Sequence, residues 1–399
     1  MKTLYLSQRV PYPPNKGEKL RTFHQIKYLL DHDHDIFLCC PYISDDELRL
    51  IRQLGDKFGL HIRQTRLGSR LLRYASGLIS HKALSISNFY SSRLQKIIDH
   101  LIATEEFHNI VCTSSSLAEY IFNSSTLPGL VNQPRLVMDF MDLDSDKWRQ
   151  YSNSSTYPMK WIYRRESRLL KKYEHRIYEF FDICFFISSA EVDLFCSQYH
   201  CSEKPLAIGN GIDTESFRPA AQPPGNDTPV FIFTGVMDYK PNVDAVLWFT
   251  ENVWPGILEN YPGSRFIVAG MNPVPDIQSL SELNGIEITG FVDDILPYFQ
   301  QSTIFVAPLR IARGIQNKVL QAFSCGLPVV STSMGAEGID YTDGENILIA
   351  DSPEAFLESI TRLQNNRDLY QSLKVNALEL VKKHYSWEGK LAPLKEILE

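Results

Sequence analysis

Four residues of one short stretch have the types and spacing to hold a single ligand. Gly314, Asn317, Lys318 and Gln321 recur at i, i+3, i+4 and i+7 between the apolar runs Ile304–Ala307 and Val329–Val330. A helix from Gly314 to near Cys325 would gather them on one polar face and turn Ile315, Val319, Ala322 and Phe323 toward a core. Such a helix suits a phosphorylated ligand. Free N–H groups at a glycine-led start and the helix dipole attract an anion, Lys318 adds charge, and Gln321 one turn deeper reaches a sugar hydroxyl. The same spacing also describes the outer face of any surface helix in a βαβ unit.

Carboxylates cluster at a second place, where Arg135–Phe140 runs into MDLDSDKWRQYS. Asp142 and Asp144, with Asp146 and Ser145, follow a strand's carboxyl end, which is where open α/β sheets bind ligands. The run also serves as a helix cap with a solvated first turn. As a metal site it lacks the Gly-x-Glu continuation of a calcium loop, so no metal is assigned. Two further helix starts carry cations. Lys16 and Gly17 open the helix after the turn-rich RVPYPPNKG, and Lys240 lies beside Pro241–Asn242 at the start of another. Either lysine can equally be an ordinary surface residue.

The elements that must position these groups alternate along the chain. Thr3–Leu6, Asp35–Cys40, Ile110–Cys112, Arg135–Phe140 and Phe181–Ile187 read as strands, with helical patterns between them. A Pro-, Gly- and polar-rich segment, AAQPPGNDTP, then reads as a linker, so a first domain spans 1–219. Strands resume at Pro229–Thr234, Ser264–Ala269, Ile286–Thr289, Ile304–Ala307, Val329–Val330 and Asn346–Ala350. The expected fold is α/β, with two Rossmann-like doubly wound parallel sheets.

Composition narrows the function classes. At 399 residues and 44% apolar, the chain can build two cores, and a net charge of −7 argues against a nucleic-acid partner. Seven cysteines, an odd number without a CxxC pair, read as reduced thiols in a cytoplasmic protein. The apolar run after Lys2 is too short for a signal-peptide core, and no stretch is long enough to span a membrane. One segment is one-sided in charge. Residues 57–98 hold eight Lys or Arg and no Asp or Glu, interleaved with leucines and aromatics. It reads either as a solvated basic face or as a peripheral contact with an anionic membrane.

The stretch RGIQNKVLQAFSCGLPVVST resembles the nucleotide-sugar motif of retaining glycosyltransferases of family 4 (group 1), which have the GT-B fold. NGID–FRP at 210–219 and YSW at 385–387 are similar to further family segments. The resemblance implies an acceptor-side domain 1–219, a nucleotide-sugar domain 220–384, and a final helix 385–399 that returns to the first domain. It implies Asp142 and then Asp144 beside the acceptor. Gly17, with Lys16, would lie beneath the donor diphosphate. Lys240, Arg313, Gly314, Ile315, Asn317, Lys318 and Gln321 would line the donor. Two family glutamates are replaced by Arg313 and Gln321, and Val236 stands at a usual arginine position. DSDKWRQY and RGIQNKVLQ look most like bacterial sugar transferases of exopolysaccharide assembly. The implied activity is hexosyl transfer from a nucleotide diphosphate sugar, a co-substrate rather than a cofactor, to a saccharide or polyprenyl-linked saccharide. A nucleotide-sugar epimerase and a non-catalytic nucleotide-sugar binder are the alternatives.

Overall fold

The computed structural model describes residues 1–14, 17–222, 228–312 and 315–399. They fall into two compact units, Met1–Asn210 with Lys390–Glu399, and Gly211–Gly389. The chain therefore crosses upstream of Pro219, because Phe217 packs edge-on against Phe299 of the second unit at 5.8 Å.

The first unit is a seven-stranded sheet of β1 (Lys2–Ser7), β2 (Asp35–Tyr42), β3 (His61–Arg66), β4 (Asn109–Thr113), β5 (Arg135–Met141), β6 (Ile183–Phe186) and β7 (Leu206–Ala207). Its order is β3-β2-β1-β4-β5-β6-β7 and every pairing is parallel. Central strands covered by helices on both faces are buried throughout, and β4, NIVCT, is buried at all five positions around an apolar centre of Ile110–Cys112. The order reverses between β1 and β4, so a crevice opens past their carboxyl ends. The final helix, Trp387–Leu398, brings its end to the amino ends of β4 and β5. There Asn109 Nδ2 donates to the Leu398 carbonyl at 2.8 Å, and Arg135 donates to that of Ile397.

The second unit repeats the plan with β8 (Val230–Thr234), β9 (Arg265–Ala269), β10 (Ile286–Gly290), β11 (Ile304–Ala307), β12 (Val329–Ser331) and β13 (Leu348–Ile349). The order β10-β9-β8-β11-β12-β13 is again parallel, with its reversal between β8 and β11. Phe231, Phe249, Trp254 and Phe266 fill one face, their rings 4.8 to 6.4 Å apart. Five of the seven cysteines are buried and all are free thiols.

Candidate functional site

In the first unit the site is built on the ends of β4 and β5. Ser114 and Met141, the residues at which these strands turn away, have φ of 109° and 63°, a region side chains other than glycine seldom occupy. A buried carboxylate holds this turn. Asp139 accepts from Arg21 Nε at 2.7 Å, from Gln25 Nε2 at 2.7 Å and from the Met141 N–H at 3.0 Å. Tyr5 donates its hydroxyl to Gln25 at 2.7 Å, and Arg21 reaches Asn210 at 3.1 Å. The backbone that leads into Asp142 is thus fixed by charge-assisted bonds from beneath.

A cavity of about 670 Å³ opens above this turn, bounded by Arg9, Arg70, Asp142, Asp144, Trp148 and Tyr163 among others. Asp142 is exposed, while Asp144 is half-buried at the first residue of the helix Asp144–Ser154. The Ser115 hydroxyl donates to Asp144 at 3.0 Å, yet burial wins and raises this carboxyl above its ordinary range. Beneath the same helix start, Glu174 accepts from the Ser145 N–H at 2.9 Å and from the Tyr199 hydroxyl at 3.3 Å. Burial pushes Glu174 up to about 8. Glu191 accepts from the Leu143 N–H at 2.8 Å. Arg21, Asp139 and Glu174 escaped the sequence reading. Glu174 had a visible signal: Glu166, Leu170, Glu174 and Ile177 share the buried stripe of the helix Met159–Phe180. A carboxylate at a core position needs a specific donor. Gly17 is the first residue of the helix Gly17–Asp31, whose first turn carries Glu18 paired with Arg9 at 2.7 Å. Lys16 lies outside the described residues.

In the second unit the helix of interest spans Asn317–Ser324, with Gln316 at its cap. It starts later than Gly314, which with Arg313 lies outside the described residues. The late start corrects one expectation. Ile315 precedes the helix and is 45% exposed, whereas Val319, Ala322 and Phe323 are buried as expected. Asn317 is exposed and Gln321 half-buried.

Lys318 differs from a lysine on a solvated face. Its ammonium lies 4.3 Å from the centre of the Phe233 ring and donates to Asn242 Oδ1 at 2.5 Å. Asn242 in turn donates to the Val236 carbonyl at 2.9 Å. Burial lowers Lys318 to about 7, so the site holds a cation that is half-discharged near neutral pH. Asn242 belongs to the first turn of the helix Lys240–Asn252, so this bond brings the starts of two helices side by side. Lys240 stands exposed as the first residue of that helix. Arg310 pairs with Asp244 of the same helix at 2.6 Å.

Two glycines keep this place open. A Cβ on Gly235 would come within 2.5 Å of Asn242 Nδ2 and 3.2 Å of Lys318 Nζ. One on Gly270, where φ is 153°, would come within 1.7 Å of the Gly235 carbonyl oxygen. Gly270→Ala is therefore expected to destabilise the second unit by at least about 2 kcal/mol, since backbone rather than a flexible side chain must move. Urea unfolding checks this, and an unchanged midpoint would contradict it. Among the described residues, no group of three or more His, Cys, Asp or Glu is placed to hold a metal ion.

Residues 228–366 match the family described as Glycosyl transferases group 1. The chain is 23% identical over 407 residues to an uncharacterized 44.6 kDa protein in the cps region of Klebsiella pneumoniae, covering 96% of each chain. It is 24% identical over 214 residues to a phosphatidyl-myo-inositol mannosyltransferase of Propionibacterium freudenreichii, covering 52% of this chain and 53% of that one. HepE of Anabaena, solved with UDP, has a TM-score of 0.61 over 100% of this chain and 99% of its own, at 13% identity. The two parallel Rossmann-like sheets define a protein of the GT-B glycosyltransferase fold. Within that fold, residues 228–366 of the second unit carry the match to the group 1 glycosyltransferases.

Proposed function

We propose that this chain transfers a hexosyl group from a nucleotide diphosphate sugar to a saccharide or polyprenyl-linked saccharide, with retention, in capsule or exopolysaccharide assembly. The observation that carries the donor side is the Lys318–Asn242 contact at two adjoining helix starts, inside the stretch that matches the family. A leaving diphosphate gains negative charge as the glycosidic bond breaks. A preorganised cation and free N–H groups, here those of Lys318 and the first turn of Asn317–Ser324, stabilise that charge. Lys240 and Asn317 add a charge and an amide at the same helix starts, and Gln321 offers a neutral hydrogen bond to a hydroxyl. Arg313, Gly314 and Ile315, which precede the helix in sequence, are assigned to the donor side by the family resemblance, and so are Gly17 and Lys16.

The acceptor side falls to Asp142 and Asp144 at the mouth of the 670 Å³ cavity. Asp142 would place the hydroxyl, with Asp144 behind it. HepE, solved with UDP-glucose, supports a UDP-sugar as the first donor to try, and the cps-region relative supports the polysaccharide setting. The acid-free stretch 57–98 supports work at the inner face of the cytoplasmic membrane as a peripheral protein; no described helix is long and apolar enough to cross one.

The test uses the depressed Lys318. A bound diphosphate favours the charged lysine, so donor binding at pH 8 should take up close to one proton, and at pH 6 almost none. Affinity should accordingly fall as pH rises above about 7. Calorimetry in buffers of different ionisation enthalpy, with UDP-, GDP-, ADP- and CDP-sugars, reads both. The linked stability effect has a definite sign. The unfolded chain holds this proton up to its ordinary 10.5 and the folded one only to about 7, so stability rises with pH between them. Donor binding without proton uptake at pH 8 would remove Lys318 from the site, and no binding of any nucleotide sugar would overturn the transfer reading.

A further inference from the structure

The helix Arg70–Ile79 is built inside out. Its packed face is Arg73, Tyr74 and Gly77, and a Cβ on Gly77 would come within 2.5 Å of Ser87 Oγ. Arg73 donates to Asn88 at 3.2 Å from this inner side. Leu71, Leu72, Ala75, Leu78 and Ile79 follow the i, i+1, i+4, i+7, i+8 spacing of one helical stripe, and that stripe faces outward. Leu71, Leu72 and Ile79 are 80%, 72% and 81% exposed. Scattered exposed leucines need no explanation, but a contiguous apolar stripe does.

The neighbouring surface says what covers it. The Lys82–Ser85 turn that follows is pinned to the helix Met159–Phe180, since Arg165 donates to the Lys82 carbonyl at 3.0 Å and Glu166 accepts from the Leu84 N–H at 2.9 Å. The start of that long helix therefore lies beside the apolar stripe, and it exposes Tyr157, Met159 and Trp161 together with Lys160, Arg164 and Arg168. Arg70 at the start of the stripe's own helix is exposed as well, and Lys82 just past its end is exposed and paired with Glu119. Glu166 is the one acidic residue in 155–173, and it is buried against Arg165. Exposed leucines and an indole ringed by lysine and arginine complement a bilayer whose surface carries acidic phospholipid: the apolar groups enter the acyl boundary and the cations pair with phosphate.

The structure assigns this surface, the outer stripe of Arg70–Ile79 with the Tyr157–Arg168 segment, as the membrane-docking face of the protein. It deepens the membrane reading of residues 57–98 and rests on it, but it does not depend on sugar transfer. Arg70 and Tyr74 on one helix and Met159, Ile162 and Tyr163 on the other line the cavity that holds Asp142 and Asp144, which therefore adjoins the inner side of Arg70–Ile79, behind the docking stripe.

The full chain should float with vesicles of phosphatidylcholine containing one quarter phosphatidylglycerol, and not with phosphatidylcholine alone. L71S/L72S/I79S is expected to reduce partitioning at least about tenfold, and R164E/R168E about fivefold or more per charge. R93E/K96E alters exposed basic residues of the same acid-free stretch on another helix, Ser92–Thr104, and should matter less. Urea midpoints and the proton uptake on donor binding should be unchanged in the triple variant, which separates this face from the transfer reading. If R93E/K96E weakens flotation while the triple variant floats like the parent, the general basic contact stands and this face is overturned. Absence of flotation by the parent overturns both. A parent dimer in light scattering that dissociates in the triple variant would overturn it in favour of a second copy of this chain.

Discussion

Lys318→Met is expected to leave the second unit folded and to lower the rate of sugar transfer by at least about a hundredfold, the range seen when one preorganised donor to a developing oxyanion is removed. Methionine keeps an unbranched stem against the Phe233 ring and removes only the ammonium. That ammonium is the charge held at the junction of the two helix starts in the second unit. Burial lowers it to about 7 and an adjacent anion favours its charged form, the more so as charge builds on the leaving diphosphate, so its contribution should grow in the transition state. Steady-state kinetics of the variant beside its urea midpoint decide the matter. A fall in rate with an intact midpoint supports the assignment, and a parental rate refutes it.

The second large effect is on stability. Arg21→Met should cost the first unit about 3–5 kcal/mol, because it strands a carboxylate that is wholly buried. Asp139 would keep Gln25 and the Met141 N–H as donors but lose both guanidinium bonds. The strained turn that leads into Asp142 depends on the same carboxylate, so the residual folded protein should also lose order there. Denaturant unfolding followed by tryptophan fluorescence measures the first effect. Replacing both partners, as Arg21→Met with Asp139→Leu, should recover part of the loss, because no buried charge is then left unpaired. A single variant as stable as the parent would contradict this view of the network.

Much of the fold could be read from the chain because its central strands hold short apolar runs bounded by turn residues. Edge strands were harder. β3 reads HIRQTR, with alternating partial exposure, and β7 is a two-residue exposed pair, so neither carries the apolar run that marked β4 or β11. Gly314 marks a helix start in the sequence, but the helix Asn317–Ser324 begins later, with Gln316 at its cap. Lys318 was legible as a cation on a helix start. Its actual setting was not, because Asn242 lies 76 residues away and Phe233 further still. Arg21 and Asp139, 118 residues apart, are brought together only by the parallel sheet. Pairings across such distances leave no mark in local spacing. Asp142 and Asp144 stand past the end of β5, and a strand's end is a local signal; the buried Glu174 behind them sits inside a helix and gives none of that kind.

The most direct measurement is release of nucleoside diphosphate from a bound nucleotide sugar, with and without a polyprenyl-linked saccharide, by the parent and by Lys318→Met. The account predicts acceptor-dependent release of the free diphosphate with a new glycosidic product, lost in the variant. Binding of the donor without release of diphosphate, or conversion of one nucleotide sugar into another, would contradict it.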